Sequence, residues 1–144
     1  MIADESRKRE VFAKLLDKKG PETRIAVVGA STNPRKYGNI IVNNLKEKGY
    51  TVYPVNPKAR EIAGLPVYPS LAEVPGPVDL VNVVTPPAVS LKVLEEADRL
   101  GFPLIWFQEG SFDDQVLQAL EKARIEGIVD ACIMVVTSWE GLPD

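Results

Sequence analysis

The sequence predicts a doubly wound α/β fold: a mostly parallel sheet of five to six strands with helices on both faces. Three observations carry this. Ile25-Ala-Val-Val28 is an uninterrupted apolar run with branched side chains, the pattern of a strand covered on both faces. The small residues Gly29-Ala-Ser31 follow it, and a helical pattern opens near Tyr37-Gly38. Predicted helices are each followed at once by a glycine and then a strand, at Gly20, Gly49, Gly101 and Gly127, which is the punctuation of βαβ alternation with right-handed crossovers.

Taken in order, residues 4 to 19 read as a helix with Val11, Phe12, Leu15 and Leu16 on one side, stopped by Gly20-Pro21. Its Arg7-Lys8-Arg9 cluster reads as a solvated face. A strand follows at 24 to 29. The next helix, 38 to 48, turns Ile40, Ile41 and Leu45 inward and places Lys46 and Lys48 near its negative end. A second strand covers 51 to 55. The proline-bearing segment Ala63 to Tyr68 reads as an edge strand, and Ser70 to Pro75 as one helical turn. Asp79 to Thr85 is the next central strand, with Thr85 as N-cap and Pro86 as first residue of the helix after it. Val89, Val93, Leu94, Ala97 and Leu100 mark the buried side of that helix. Pro103 to Phe107 is a further core strand, and Ser111 with Asp114 resembles a capping box. Val116, Leu117, Leu120 and Ala123 carry the last helix to Gly127, and Ile128 to Val136 reads as the final strand. Trp106 and Trp139 read as packing residues.

With 144 residues and 45% apolar content, the chain suits one well-filled core, so residues 1–144 are expected to form a single domain with an N-terminal helix within 1–20 and an irregular tail at 137–144. The net charge of −3 is spread over interspersed acids and bases, so no basic face points to nucleic acid. No apolar run has the length of a membrane span, and Met1 to Glu10 is too charged for a secretory signal, which reads as cytoplasmic. The single cysteine, Cys132, forms no internal disulfide and agrees with a reducing compartment. The lack of histidine excludes Ser-His-Asp and Cys-His catalysis and histidine zinc sites for this chain acting alone, and no metal site is expected.

In such a sheet ligands bind beyond the carboxyl ends of the strands, where the strand order reverses. The turn after the first strand offers main-chain N–H groups and a helix start to an anion, phosphate being the usual one. A dinucleotide fingerprint would read Gly-x-Gly-x-x-Gly; here the positions are Gly29, Ala30, Ser31, Thr32, Asn33, Pro34, and only the first matches. The second strand ends in Asn56, Pro57 and Lys58, where a dinucleotide enzyme places a carboxylate for a ribose diol. A lysine there suits a further phosphate, so the expected ligand is nucleotide-like and phosphorylated in more than one place. Ser31 and Thr32 read as phosphate donors or as a plain turn. Arg35 and Lys36 read as pyrophosphate partners or as solvated loop cations. Thr85, Pro86 and Pro87 give a rigid wall to a flat base besides starting a helix, Glu109 is a ligand-orienting or solvated acid, and Cys132 is a buried small residue or a thiol beside the ligand.

The blocks Gly29-Ala-Ser-x-x-Pro-x-Lys-x-Gly38, Val52-Tyr-Pro-Val-Asn-Pro-Lys58, Gly64-Leu-Pro-Val-Tyr-Pro-Ser-Leu71 and Trp106-Phe-Gln-Glu-Gly110 resemble the small stand-alone coenzyme A-binding domain proteins. These are similar to the nucleotide-binding domain of the succinyl-CoA synthetase alpha subunit and of ADP-forming acyl-CoA synthetases. The resemblance spans residues 8 to 134 and implies a Rossmann-like domain with coenzyme A as ligand. Carried over, it implies that Gly29, Ala30, Ser31 and Thr32 form the phosphate loop, and that Asn56, Pro57 and Lys58 flank the nucleotide. Val84, Thr85 and Pro86 would line the adenine side, and Gln108 and Glu109 would approach the pantetheine arm. The chain departs from the family where Ala131 precedes Cys132 in place of an arginine, and where Val135-Val136-Thr137 stands in place of a Glu-His pair. The synthetases also use a histidine and further domains, so the resemblance carries non-catalytic binding of coenzyme A or acyl-CoA rather than ligase activity. Two alternatives stand beside it: an NAD(P)-binding oxidoreductase or redox sensor, and a coenzyme A-binding subunit of a multi-chain acyl-CoA synthetase. A homo-oligomer or an acyl-CoA enzyme is the expected protein partner.

Overall fold

Strand patterning and glycine placement produce one parallel sheet clasped between two helical layers. The computed structural model describes residues 1–144. Its strands are β1 (Arg24–Val28), β2 (Thr51–Val55), β3 (Glu61–Ile62), β4 (Leu65–Pro66), β5 (Leu80–Val83), β6 (Leu104–Phe107) and β7 (Glu126–Ile128). The helices are α1 (Glu5–Asp17), α2 (Tyr37–Glu47), α3 (Pro87–Leu100), α4 (Asp114–Lys122) and α5 (Ile133–Val136), with a 3-10 turn at Leu71–Glu73. Five strands make the main sheet, all parallel, in the order β2-β1-β5-β6-β7. This is the α/β, Rossmann-like architecture the sequence predicts.

Alternation along each strand sends its side chains to opposite faces. Ile25 and Val27 of β1, with Leu80, Leu104, Trp106 and Ile128, meet Phe12 and Leu15 of α1, Ile41 and Leu45 of α2, and Ile133 and Val136 of α5. Ala26 and Val28, with Val81, Val83, Ile105 and Phe107, meet Val93, Leu94 and Ala97 of α3 and Val116 and Leu120 of α4. Both tryptophans pack: Trp106 lies 5.4 Å from the Phe12 ring and Trp139 stands edge-on to the same ring at 5.9 Å.

Both outer flanks of the sheet are covered. Beyond β2, Tyr68 donates to Pro54 O and accepts from Asn56 N, each at 3.0 Å. Beyond β7, Ala3 N donates to Gly127 O and Gly127 N to Met1 O. The proline-bearing segment 63–68 is therefore not one edge strand. Ala63 and Gly64, both at positive φ, fold it into the small β3–β4 antiparallel hairpin, and only Tyr68 bridges the sheet.

Several local expectations change. The apolar run 128–136 is not one strand: β7 stops at Ile128, Asp130 turns at φ 60, and Ile133 and Val136 repeat at helical spacing, buried on the core, while Val135 is exposed. Gly49 and Gly101 end α2 and α3 with positive φ, whereas Gly20 keeps negative φ and Gly127 lies inside β7, pressed on Leu120. Asp113, not Ser111, caps α4, its carboxylate accepting from Val116 N at 3.0 Å. Pro86, not Thr85, is the α3 N-cap. Ile40, Val89 and Leu100 face outward because their positions lie off the stripe set by Ile41 and Leu45 and by Val93, Leu94 and Ala97. Arg7 is no merely solvated residue, since its guanidinium joins Glu10 and, at 2.7 Å, Glu126 at the start of β7.

Tyr50, buried between α1 and β2, donates its hydroxyl to Leu15 O at 2.7 Å, and burial pushes its phenol from 10.0 up to about 12. The neutral phenol is the folded form, so its stabilising effect is whole below the ordinary value and is lost as pH rises through the folded one. Urea midpoints of the protein should accordingly fall between pH 10.0 and about 12, and Tyr50→Phe should lose most of that slope. An unchanged slope in the variant would assign it to other groups.

Candidate functional site

The strand order reverses between β1 and β5, so the carboxyl ends of these two strands open a crevice. Two glycines shape its floor. Gly29, at φ 96, packs so closely that a Cβ would lie 3.0 Å from the side chains of Val84 and Thr85. A Cβ on Gly38 would lie 1.9 Å from Gly29 O, so the first turn of α2 rests directly on the turn that ends β1. The spacing from Gly29 to Gly38 thus achieves the close helix-to-strand approach that a compact glycine fingerprint achieves elsewhere.

Side chains fold the loop between them. Ser31 Oγ accepts from Asn33 N, Asn33 Oδ1 accepts from Arg35 N, and Asn39 Nδ2 donates to Ser31 O. The main-chain N–H groups of Ser31, Thr32, Tyr37 and Gly38 make no hydrogen bond within the protein. Asn56 ties the end of β2 to this loop: its Nδ2 donates to Ala30 O at 2.8 Å, and its Oδ1 accepts from Lys58 N and Ala59 N. Both ends of that amide are engaged by main chain, so Asn56 builds the rim, with Pro57 and Lys58 exposed beside it.

A cleft of about 670 Å³ runs along the rim, lined by Lys36 and Tyr37, by 84–87, by 108–111 and by Cys132. Among the predicted residues, Lys36, Val84, Thr85, Pro86, Gln108, Glu109 and Cys132 come together in its wall. Gly29, Ala30, Ser31, Thr32, Arg35, Asn56, Pro57 and Lys58 lie outside that wall, in the β1–α2 and β2–β3 loops. Tyr37, Pro87, Gly110 and Ser111 complete the lining, within the rim segments that the strand ends mark in the sequence. A separate cavity of about 260 Å³, bordered by Arg7, Lys14, Lys18 and Asp79, sits at the opposite end of the strands.

Gln108 organises the far end of the cleft. Only 8% exposed, its Oε1 accepts from Asn82 Nδ2 at 3.2 Å and from Ile133 N at 3.0 Å, which turns Nε2 toward Cys132 Sγ at 3.4 Å. Asn82 is wholly buried in β5 and was also missed, though a lone amide among Leu80, Val81 and Val83 marked it. The α5 turn behind Cys132 is held by Lys48, whose Nζ donates to Met134 O and Thr137 Oγ1 at 2.8 Å. Burial, and then the Lys19 charge, lower the Lys48 pKa, with Cys132 opposing them. Thr85 is committed to the α3 start, its hydroxyl paired with Ser90 at 2.8 Å.

Residues 23–138 match the family described as CoA binding domain. The chain belongs to that family. This CoA-binding domain is 35% identical over 112 residues to the uncharacterized protein YneT of Bacillus subtilis, covering 78% of this chain and 83% of YneT. A solved conserved hypothetical protein from Pyrococcus furiosus superposes with TM-score 0.76 at 49% identity, over 78% of this chain and 97% of that one. The domain is also related to the acetate–CoA ligase (ADP-forming) I of Archaeoglobus fulgidus, at 32% identity over 79% of this chain but only 18% of the ligase. No helix of the structure is long and apolar enough to cross a membrane.

Proposed function

We propose that this domain binds coenzyme A or an acyl-CoA without catalysis of its own. The observation that carries the reading is the set of unpaired main-chain N–H groups at Ser31, Thr32, Tyr37 and Gly38, which the Gly29–Gly38 contact gathers beside the cleft at the strand-order reversal. Such donors suit a diphosphate, because they match its charge without a basic surface. Gly29, Ala30, Ser31 and Thr32 form the phosphate loop in this reading, with Arg35 and Lys36 over it. Asn56 and Pro57 shape the nucleotide side, and Lys58 meets the ribose phosphate. Val84, Thr85 and Pro86 flank the adenine, while Gln108 and Glu109 meet the pantetheine arm, with Cys132 at its end. A cytoplasmic location goes with this ligand and with the single thiol.

Calorimetry with coenzyme A, dephospho-coenzyme A and NAD tests the reading: coenzyme A should bind tightest, and equal or stronger binding of NAD would reject it. Lys58→Ala should weaken coenzyme A about fivefold, roughly 1 kcal/mol for an exposed charge-assisted contact, and leave dephospho-coenzyme A unchanged. Relatedness to a small part of a larger ligase supports a second reading, in which the domain serves as the coenzyme A-binding part of an acyl-CoA synthetase assembled with other chains. Co-purification of a partner that confers ligase activity would favour it.

A further inference from the structure

Past Gln108 the cleft does not end. A second cavity of about 330 Å³ is lined by Glu109, Phe112, Asp130, Ala131 and Cys132, and it shares Glu109 and Cys132 with the main cleft. We propose that this chamber receives the acyl group of an acyl-CoA and selects short uncharged chains against those that end in a carboxylate. The inference rests on the coenzyme A reading above, because a pantetheine arm lying past Gln108 brings its sulfur to Cys132, and whatever that sulfur carries extends into the chamber.

The chamber is built from both layers of the fold. Phe112 packs against the α3–α4 side of the core and Ala131 against the α1–α2 side, giving apolar walls suited to methylene groups. Ala131 is fixed, its carbonyl accepting from Trp106 Nε1 at 2.8 Å. The charged groups at the mouth are both carboxylates, Glu109 and Asp130, and neither is paired in a salt bridge. The lysine behind Cys132, Lys48, already donates to Met134 O and Thr137 Oγ1. An acyl carboxylate would therefore meet like charge with no cation among the residues that line the chamber, which is discrimination by repulsion.

The test is calorimetry on the full chain with free coenzyme A, butyryl-CoA and succinyl-CoA. Butyryl-CoA is expected to bind at least as tightly as coenzyme A, and succinyl-CoA about tenfold more weakly than butyryl-CoA. Ala131→Leu, which narrows the chamber, should lower butyryl-CoA affinity about tenfold and leave free coenzyme A unchanged. Asp130→Asn keeps a residue that tolerates positive φ and should recover several-fold affinity for succinyl-CoA alone. Equal binding of the two acyl-CoAs by the native chain, or equal loss of butyryl-CoA and coenzyme A in Ala131→Leu, would overturn the chamber. If Ala131→Leu fails to fold, the native comparison and Asp130→Asn still decide. Failure of free coenzyme A to bind the native chain would instead remove the underlying reading, and the chamber with it.

Discussion

Gly38→Ala should be the most damaging single methyl group in the protein. The added carbon would sit 1.9 Å from Gly29 O, 2.9 Å from Gly29 C and 3.1 Å from Ala30 Cα, all of them backbone atoms that no rotamer change can move. The first turn of α2 must then lift off β1, which pulls Ile41 and Leu45 from the core and opens the loop that presents the free N–H groups. We expect a loss of about 3 kcal/mol or more, a large share of the about 5–15 kcal/mol that holds a domain folded. Urea unfolding reads the loss, and calorimetry should find ligand binding gone even where folding survives. Gly127→Ala is the control: its Cβ would meet the end of the Leu120 side chain, which can shift, so the cost should be smaller. Equal midpoints for the Gly38 variant and the native chain would refute the close-approach role.

Trp106→Ala should cost about 3–5 kcal/mol, because it empties a wholly buried site between β6 and α1 and strands the Ala131 carbonyl. Trp106→Phe separates the two causes. It retains most of the apolar volume and loses only the hydrogen bond, for which about 1–2 kcal/mol is expected. The emission of Trp139 then reports unfolding in both variants. A Phe variant as unstable as the Ala variant would mean that the indole N–H, and not the ring volume, secures the segment 129–132.

The sheet was legible because its strands are buried on both faces and so read as apolar runs, Ile25 to Val28 being the clearest. The α2 and α3 stripes were legible at Ile41, Leu45, Val93 and Leu94, where periodicity follows directly from packing. What failed is instructive. Ile128 to Val136 is apolar but for Asp130, and such a run does not distinguish strand from helix; Asp130 at positive φ and the Gln108 acceptor for Ile133 N decide it, and both are tertiary facts. Arg7 read as solvated because Glu126 lies far along the chain. Within the site, the rim segments were found from strand ends alone, since topology fixes where strand ends go. Asn82 was missed because its importance lies in what it faces, and one sequence does not carry that.

The covered flanks of the sheet bear on how this domain meets other proteins. With Tyr68 bonded beyond the end of β2 and the segment Met1–Ala3 beyond β7, each flank of the main sheet already carries backbone partners, which works against growth by strand addition, the route to fibrils.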